Sequence, residues 1–488
     1  MTAERKNGMC EKKYIQLIET YQDEMIKDLQ TLVRIKSVDE LGINGQPVPF
    51  SEGVQEVFQA TLAMGEREGF ESFNANNYGG HFEWKVDDAA ETMAILGHLD
   101  VVPEGSDWDF EPYSAEVRDG RMYGRGTSDN KGPIVASLYA MKAIKEAGYV
   151  PRKNIRVILG LDEETNWDGM EKYLELAGKP DFGFTPDGAF PLLHSEMGVL
   201  VFDLVGKFSK TPGGAKGVEV RNIQGGTASN SVPDFAKALI FCEAGYDEIR
   251  EKAEEFNRSE EHKIVCKGKG KSLEVSVQGV SAHGARPHMG FSAISQLMKF
   301  LGGLTYANDS VGEFVQFYNE HIGFGNKGYG MGCGLTDEVS GELIWNTGII
   351  DANEEAWKMT INVRYPVTCT DDQVYDGMME VLNKYGYGVI KGPHNEPIYL
   401  PVDHPVIVAL MDSYKEFSGD VNAKPGVTGG ATYARTIPNA VSFGILFPEE
   451  KNIMHQRNES ISLEHWFKAT KILAESIVRL TDAYVPEE

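Results

Sequence analysis

Histidines and acids are spread along the chain at five stations: His98 and Asp100 in Gly97-His98-Leu99-Asp100, Asp129, the run Asp162-Glu163-Glu164, Asp187 and, far downstream, His455. Imidazole and carboxylate together suit divalent cations such as zinc, manganese and cobalt. Neighbouring acids can divide the work, one ligating while the next transfers protons. Each station sits at or just after the end of an apolar, β-rich run, and a parallel sheet would gather such ends along one edge. Gathered there, the set can hold two metal ions, which in paired sites lie about 3.5–4 Å apart.

Taken singly, each station also has a plainer use. On an extended strand end His98 and Asp100 point to the same side, so the acid can hydrogen-bond the imidazole and raise its basicity as a ligand; a surface pair has the same spacing. Asp129 lies in the glycine-rich turn Tyr123 to Gly132 ahead of a helix, where a carboxylate can bridge two ions or simply cap the helix. Three adjacent acids after Leu161 repel one another unless cations compensate, and a solvated loop accommodates them equally. Asp187, in Thr185-Pro186-Asp187-Gly188, fits a turn, and His455 fits a loop.

A second group lies mid-chain: His283 in Ser281-Ala282-His283-Gly284-Ala285-Arg286-Pro287, Asn230 in Ser229-Asn230-Ser231-Val232-Pro233, and Arg364 in Asn362-Val363-Arg364-Tyr365-Pro366. An imidazole, an amide and a guanidinium are donors that an amide hydrolase would aim at an oxyanion and a substrate carboxylate. A turn, a loop cap and a sheet-surface charge describe them as well. In Gly429-Gly430-Ala431-Thr432 the glycines would let backbone amides approach a ligand closely, or would make a turn.

The elements that must position these groups follow from periodicity. Tyr14 to Ile35 repeats apolar residues at helical spacing (Ile18, Met25, Leu29, Leu32, Val33), which predicts an amphipathic opening helix. Met93 to Leu96 and Ile155 to Leu161 read as buried strands, and Pro133 to Ala147 between them as a helix. That β-α-β order predicts right-handed crossovers and a largely parallel sheet. From about Gly198 the texture changes to strands at Leu200 to Phe208, Ser272 to Val280, Leu343 to Ile350 and Trp357 to Val367. Helices near Ser292 to Leu304 and Asp372 to Tyr385 are interleaved with them, which predicts an inserted α+β domain. The chain returns through Gly426 to Thr432 and Val441 to Phe447, reaches His455, and closes with an amphipathic helix from Leu463 to Tyr484.

Length and charge set the outer bounds. At 488 residues the chain has room for two or three units with a large core. A formal charge of −26 argues against a nucleic-acid partner, which needs clustered Lys and Arg, and fits solubility. Five dispersed cysteines without C-x-x-C indicate neither a disulfide framework nor a thiolate metal site and suit a reducing cytoplasm. The charged stretch Met1 to Lys13 lacks the apolar core of a signal peptide, and no window approaches the about 20 apolar residues that span a bilayer.

Together, Gly-His-Leu-Asp-Val-Val-Pro from residue 97, Gly-Arg-Gly-Thr-Ser-Asp-Asn-Lys-Gly from 124, Asp-Glu-Glu, Pro-Asp-Gly, Ser-Ala-His-Gly and a late histidine resemble the di-metal aminopeptidase family of carnosinases, aminoacylases, desuccinylases and bacterial dipeptidases. The length and the large insert look most like its peptidase V type. The resemblance covers essentially the whole chain. It implies an α/β fold: a mostly parallel-sheet, zinc-exopeptidase-like catalytic domain over residues 1–194 plus 400–488, and an inserted α+β lid over 195–399.

The resemblance also implies roles. His98, Asp129 and Asp187 would hold one metal and Asp129, Glu164 and His455 the other, with Asp100 orienting His98. Glu163 would be the general base toward a metal-bridging water. Asn230, His283 and Arg364 would close over the substrate, His283 stabilising the oxyanion, while Gly429 and Gly430 face the substrate's carboxyl end. The expected cofactors are two divalent ions, zinc foremost and manganese or cobalt otherwise. The expected substrates are unblocked dipeptides, met in the cytoplasm by a monomer whose insert fills the space of a dimer partner. Because Asp162 makes the acid run a triple, a one-residue slip between base and ligand stays open. So do an N-acyl-amino-acid deacylase or desuccinylase of the same family, a non-catalytic metal-binding protein, and a solvated acidic interaction surface.

Overall fold

The apolar run Met93 to Leu96 lies in a strand, Thr92–His98, buried from Met93 onward and flanked on both sides by parallel strands, Asn154–Gly160 and Phe182–Thr185. Ala440–Ser442 joins the parallel set beside Phe182–Thr185, so the C-terminal segment re-enters the sheet begun by the N-terminal one. On the other side Gly80–Trp84 pairs antiparallel with Asn154–Gly160, and Glu71–Asn74 with Gly80–Trp84. Strands covered on both faces need not alternate, which is why Met93 to Leu96 and Val157 to Leu161 read as apolar runs. The fold is α/β. The structure, a computed structural model, describes residues 12–39, 49–210 and 216–485; the N-terminal stretch through residue 11, Cys10 included, lies outside the described residues.

The helix Lys131–Glu146 is buried almost all round, with Ile134, Val135, Leu138, Met141 and Ile144 at 1% exposure or less. It packs on the closing helix Leu463–Leu480, whose Trp466 indole N–H donates to the Gly132 carbonyl at 2.9 Å. The opening segment is two helices, Lys13–Thr20 and Gln22–Val33, where periodicity predicts one. At Tyr21 the backbone N–H bonds back three residues to Ile18 at 3.2 Å, a tighter turn that ends the first helix. Apolar spacing continues through the break because both helices bury one face, so the pattern carries no sign of it.

The chain divides into two compact units. One takes the described residues up to His194, Leu400–Gly426 and those from Thr432 on; the other takes Ser195–Tyr399 and Val427–Ala431. The second unit is built on an antiparallel sheet of eight strands in the order Ile264–Lys269, Ser272–Gln278, Phe235–Phe241, Glu219–Gly225, Ile344–Ala352, Ala356–Tyr365, Gly198–Lys207 and Gly388–Asn395. Here burial alternates, with Leu273, Val275 and Val277 inside and the polar residues between them less buried. That is the mark of a sheet with one covered face. Ala293–Leu301 and Asp247–Asn257 pack against it. Among the described residues no helix is long and apolar enough to cross a membrane.

Candidate metal centre

Parallel pairing puts the carboxyl ends of three strands side by side in the first unit. His98 ends Thr92–His98, Asp162 to Glu164 follow Asn154–Gly160, and Asp187 follows Phe182–Thr185. Asp129 stands in the turn before Lys131–Glu146. His455 comes from the loop after Ala440–Ser442, with its backbone in the left-handed region at φ 62°. Two glycines make the approach possible. A Cβ on Gly97 would lie 2.6 Å from Ile134 Cγ1, so the strand passes directly under the helix behind Asp129. A Cβ on Gly160 would lie 2.2 Å from the ring of Tyr433.

The two carboxylate oxygens of Asp129 face two different imidazoles: Oδ1 is 2.9 Å from His98 Nε2 and Oδ2 is 3.0 Å from His455 Nε2. Asp187 Oδ2 is 3.7 Å from His98 Nε2, and Glu164 Oε1 is 2.9 Å from His455 Nε2. His98, Asp129 and Asp187 thus form one group, and Asp129, Glu164 and His455 another, each with ligand atoms within 4.8 Å of one another. His98 Nδ1 lies 3.0 Å from the Asp100 carbonyl oxygen and 3.4 Å from its carboxylate, so Asp100 holds the ring from behind. The other Asp100 oxygen accepts the Glu164 backbone N–H at 3.0 Å and ties the two groups together.

The acid run divides sharply. Asp162 is fully buried and spends both oxygens on structure, accepting the Tyr433 hydroxyl at 2.7 Å and the Gly169 N–H at 2.5 Å. Burial lifts it to about 6. Glu164, and not Glu163, completes the group with Asp129 and His455. Glu163 is anchored through its carbonyl, which accepts the Trp167 indole N–H at 2.7 Å. Its acid is raised well above the usual carboxylate range, first by burial and then by the charge of Asp187.

The electrostatics fit cations. Burial and the charge of Asp129 raise Asp187 to about 7 and push Glu164 up as well. Burial alone would lower both histidines, yet hydrogen bonds and charge from the acids outweigh it and hold His98 well up and His455 at about 10. These shifts mark a cluster short of positive charge, because uncompensated buried carboxylates each cost several kcal/mol. Divalent ions supply the same charge, and the nitrogen and oxygen donors are the types that bind them.

Several neighbours give no warning in the sequence. Tyr433 contacts Asp162 from 271 residues away, and buried Arg125 and Glu459 pair behind Asp129 across 334. Lys131, also buried, donates to the carbonyls of Ile35 and Leu32 at 2.9 and 3.1 Å, fixing the helix start against the end of Gln22–Val33. Glycines around Arg125 and the closeness of Glu459 to His455 are the only signals, and neither identifies a partner.

The mid-chain group gathers in the second unit. The Gly284 N–H donates to the Asn230 carbonyl at 2.6 Å and Ser231 bridges to His283, so the two loops are stitched together. His283 Nδ1 accepts the Ala285 N–H at 3.1 Å. Arg364 is buried in Ala356–Tyr365, opposite Ile344 and Val199. Gly429 lies close by: a Cβ there would be 3.2 Å from Ala285 Cβ and 3.8 Å from Arg364 Cγ. The Gly430 N–H donates to Thr428 Oγ1 at 2.9 Å.

Comparison with known proteins gives a consistent result. The family described as peptidase family M20/M25/M40 matches residues 94–479. A Bacillus subtilis (strain 168) protein carrying the name "Putative dipeptidase YtjP" is 33% identical over 462 residues, spanning 94% of this chain and 97% of its own. The M20 family metallo-carboxypeptidase Sso-CP2 of Sulfolobus solfataricus superposes with a TM-score of 0.53 at 17% identity, over 93% of this chain and 98% of that one. Aminoacylhistidine dipeptidase of Vibrio alginolyticus gives 0.53 at 13% identity, over 96% and 98%. At these identities the two structures speak to the fold.

Proposed function

The chain belongs to peptidase family M20/M25/M40 and is a metallo-exopeptidase, and from that premise we propose that it hydrolyses unblocked dipeptides, with the first unit as catalytic domain and the second as lid. Asp129 carries the reading. Its two oxygens address separate ligand groups 2.9 and 3.0 Å away, as a carboxylate shared by two cations must. A helix cap would have no need of an imidazole on either side.

On this reading His98, Asp129 and Asp187 hold one divalent ion and Asp129, Glu164 and His455 the other, zinc foremost, with manganese or cobalt suited to the same donors. Once bound, the pair supplies Lewis acidity at the scissile carbonyl and lowers the pKa of water to about 7. Asp100 fixes the ring of His98. Glu163 accepts the proton of the attacking water and delivers it to the departing amine; its raised proton affinity is the direction a base requires. His283 donates to the oxyanion. Arg364, with the backbone amides of Gly429 and Gly430, receives the free carboxylate. We place the protein in the cytoplasm as a monomer; the free thiols Cys242, Cys266, Cys333 and Cys369 suit a reducing compartment.

A carboxylate clamp makes substrate length the test. Dipeptides are expected to be cleaved at least ~10²-fold faster by kcat/KM than their C-terminal amides or matched tripeptides, since each loses a charge-assisted pair. Equal rates on the amides would remove the clamp. Faster turnover of N-acetyl amino acids would make the protein a deacylase instead.

A further inference from the structure

Behind Asp129 lies a carboxylate with no place among the ligands. Glu459 is fully buried; its Oε1 accepts the backbone N–H groups of Gly126, Ser128 and Asp129 at 3.1, 3.0 and 3.2 Å and the Ser128 hydroxyl at 3.1 Å. Its Oε2 accepts from Arg125 Nη1 at 2.6 Å. Arg125 is itself buried, sits over the ring of Trp108, and extends to the carbonyls of Gln456 and Pro103 at 3.4 and 3.3 Å. The main chain repeats the link: the Gly124 N–H donates to the Glu459 carbonyl at 2.9 Å, and Ser460–Ser462 pairs antiparallel with Arg121–Tyr123.

One ion pair therefore clamps the turn that presents Asp129 to the loop that presents His455, four residues before Glu459. His98 and Asp187 are placed differently, by the ends of two core strands. His455 stands on an irregular loop with its side chain 53% exposed, whereas that of His98 is 1% exposed. We propose that Glu459, acting through Arg125, is a positioning residue that holds the His455 loop against the Asp129 turn, so that the cation site of Asp129, Glu164 and His455 depends on it far more than the site in which Asp129 joins His98 and Asp187, two ligands carried by core strands.

The inference rests on the two-ion reading above, and its test separates the two. Metal-free full-length protein is titrated with Co²⁺, following the cobalt absorption spectrum and counting bound ions by equilibrium dialysis. The unaltered protein is expected to take two ions. In Glu459→Gln an amide NH₂ faces the guanidinium, donor against donor, so the clamp opens. One ion should bind within about threefold of normal and the other about 10–100-fold more weakly, with its spectrum altered, the scale seen when groups behind metal ligands are changed.

The double variant Arg125→Met/Glu459→Gln leaves no unpaired buried charge and keeps an amide oxygen for the N–H groups of Gly126, Ser128 and Asp129. It should recover melting temperature yet still bind the second ion weakly, and it carries the comparison if Glu459→Gln fails to fold. Two normal steps in the folded Glu459→Gln, parallel weakening of both, or recovery of the second step in the double variant would each overturn the proposal while leaving the two-ion reading standing. Fewer than two ions in the unaltered protein would overturn both.

Discussion

Of three consecutive acids, Asp162 is kept out of the ligand groups by a tyrosine 271 residues away. Tyr433 and the Gly169 N–H occupy Asp162, and the next two side chains diverge as residues at a strand end do. Spacing and residue type made His98, Asp129, Asp187 and His455 legible as a joint pattern; the withdrawal of Asp162 from the acid run was not, because it depends on a distant hydroxyl. We expect Glu163→Gln to retain two ions while lowering kcat at least ~10²-fold, and Glu164→Ala to lose one ion. Ion loss in the residue-163 variant instead would exchange the two roles. The protonated cluster also fixes a pH dependence. His455, raised to about 10, and His98, raised well up, must release protons before their nitrogens can ligate, so affinity for cations rises with pH. Below about 7 Asp187 takes up a proton as well and the loss steepens. Calorimetric titration near neutrality in buffers of different ionisation enthalpy should show proton release on binding; none would contradict this charge balance.

At the level of elements, the centre depends on strands that end level with one another and on a helix that starts directly above them. The β-α-β order from Met93 to Leu161 was legible because fully covered parallel strands read as apolar runs. The break at Tyr21 was not, since the apolar stripe runs across it, and neither was the small sheet that joins Ser460–Ser462 to Arg121–Tyr123, whose partners lie far apart in sequence. Close packing at the strand ends has a measurable consequence. Gly160→Ala places a methyl group 2.2 Å from the Tyr433 ring, between the sheet and the support of Asp162. Overpacking of this kind should lower stability by about 1–3 kcal/mol in denaturant unfolding. A change below about 0.5 kcal/mol, within the range of neutral surface substitutions, would show that Tyr433 moves aside freely.

For the whole molecule, the charge of −26 has a local counterpart: acids concentrated where they could repel one another are the ones that cations can bind. The second unit gathers Asn230, His283, Arg364 and Gly429 around a different chemistry, donors suited to a carboxylate and an oxyanion. The family match and the ligand geometry meet in one claim, that peptide hydrolysis here needs two divalent ions per chain. It is tested most directly by stripping the protein with a chelator and titrating back Zn²⁺, Mn²⁺ or Co²⁺ while following hydrolysis of a dipeptide and counting bound ions. We expect the stripped protein to be inactive and full activity to return only as the second equivalent binds. Full hydrolysis by verified metal-free protein, or saturation of activity at a single equivalent, would contradict it.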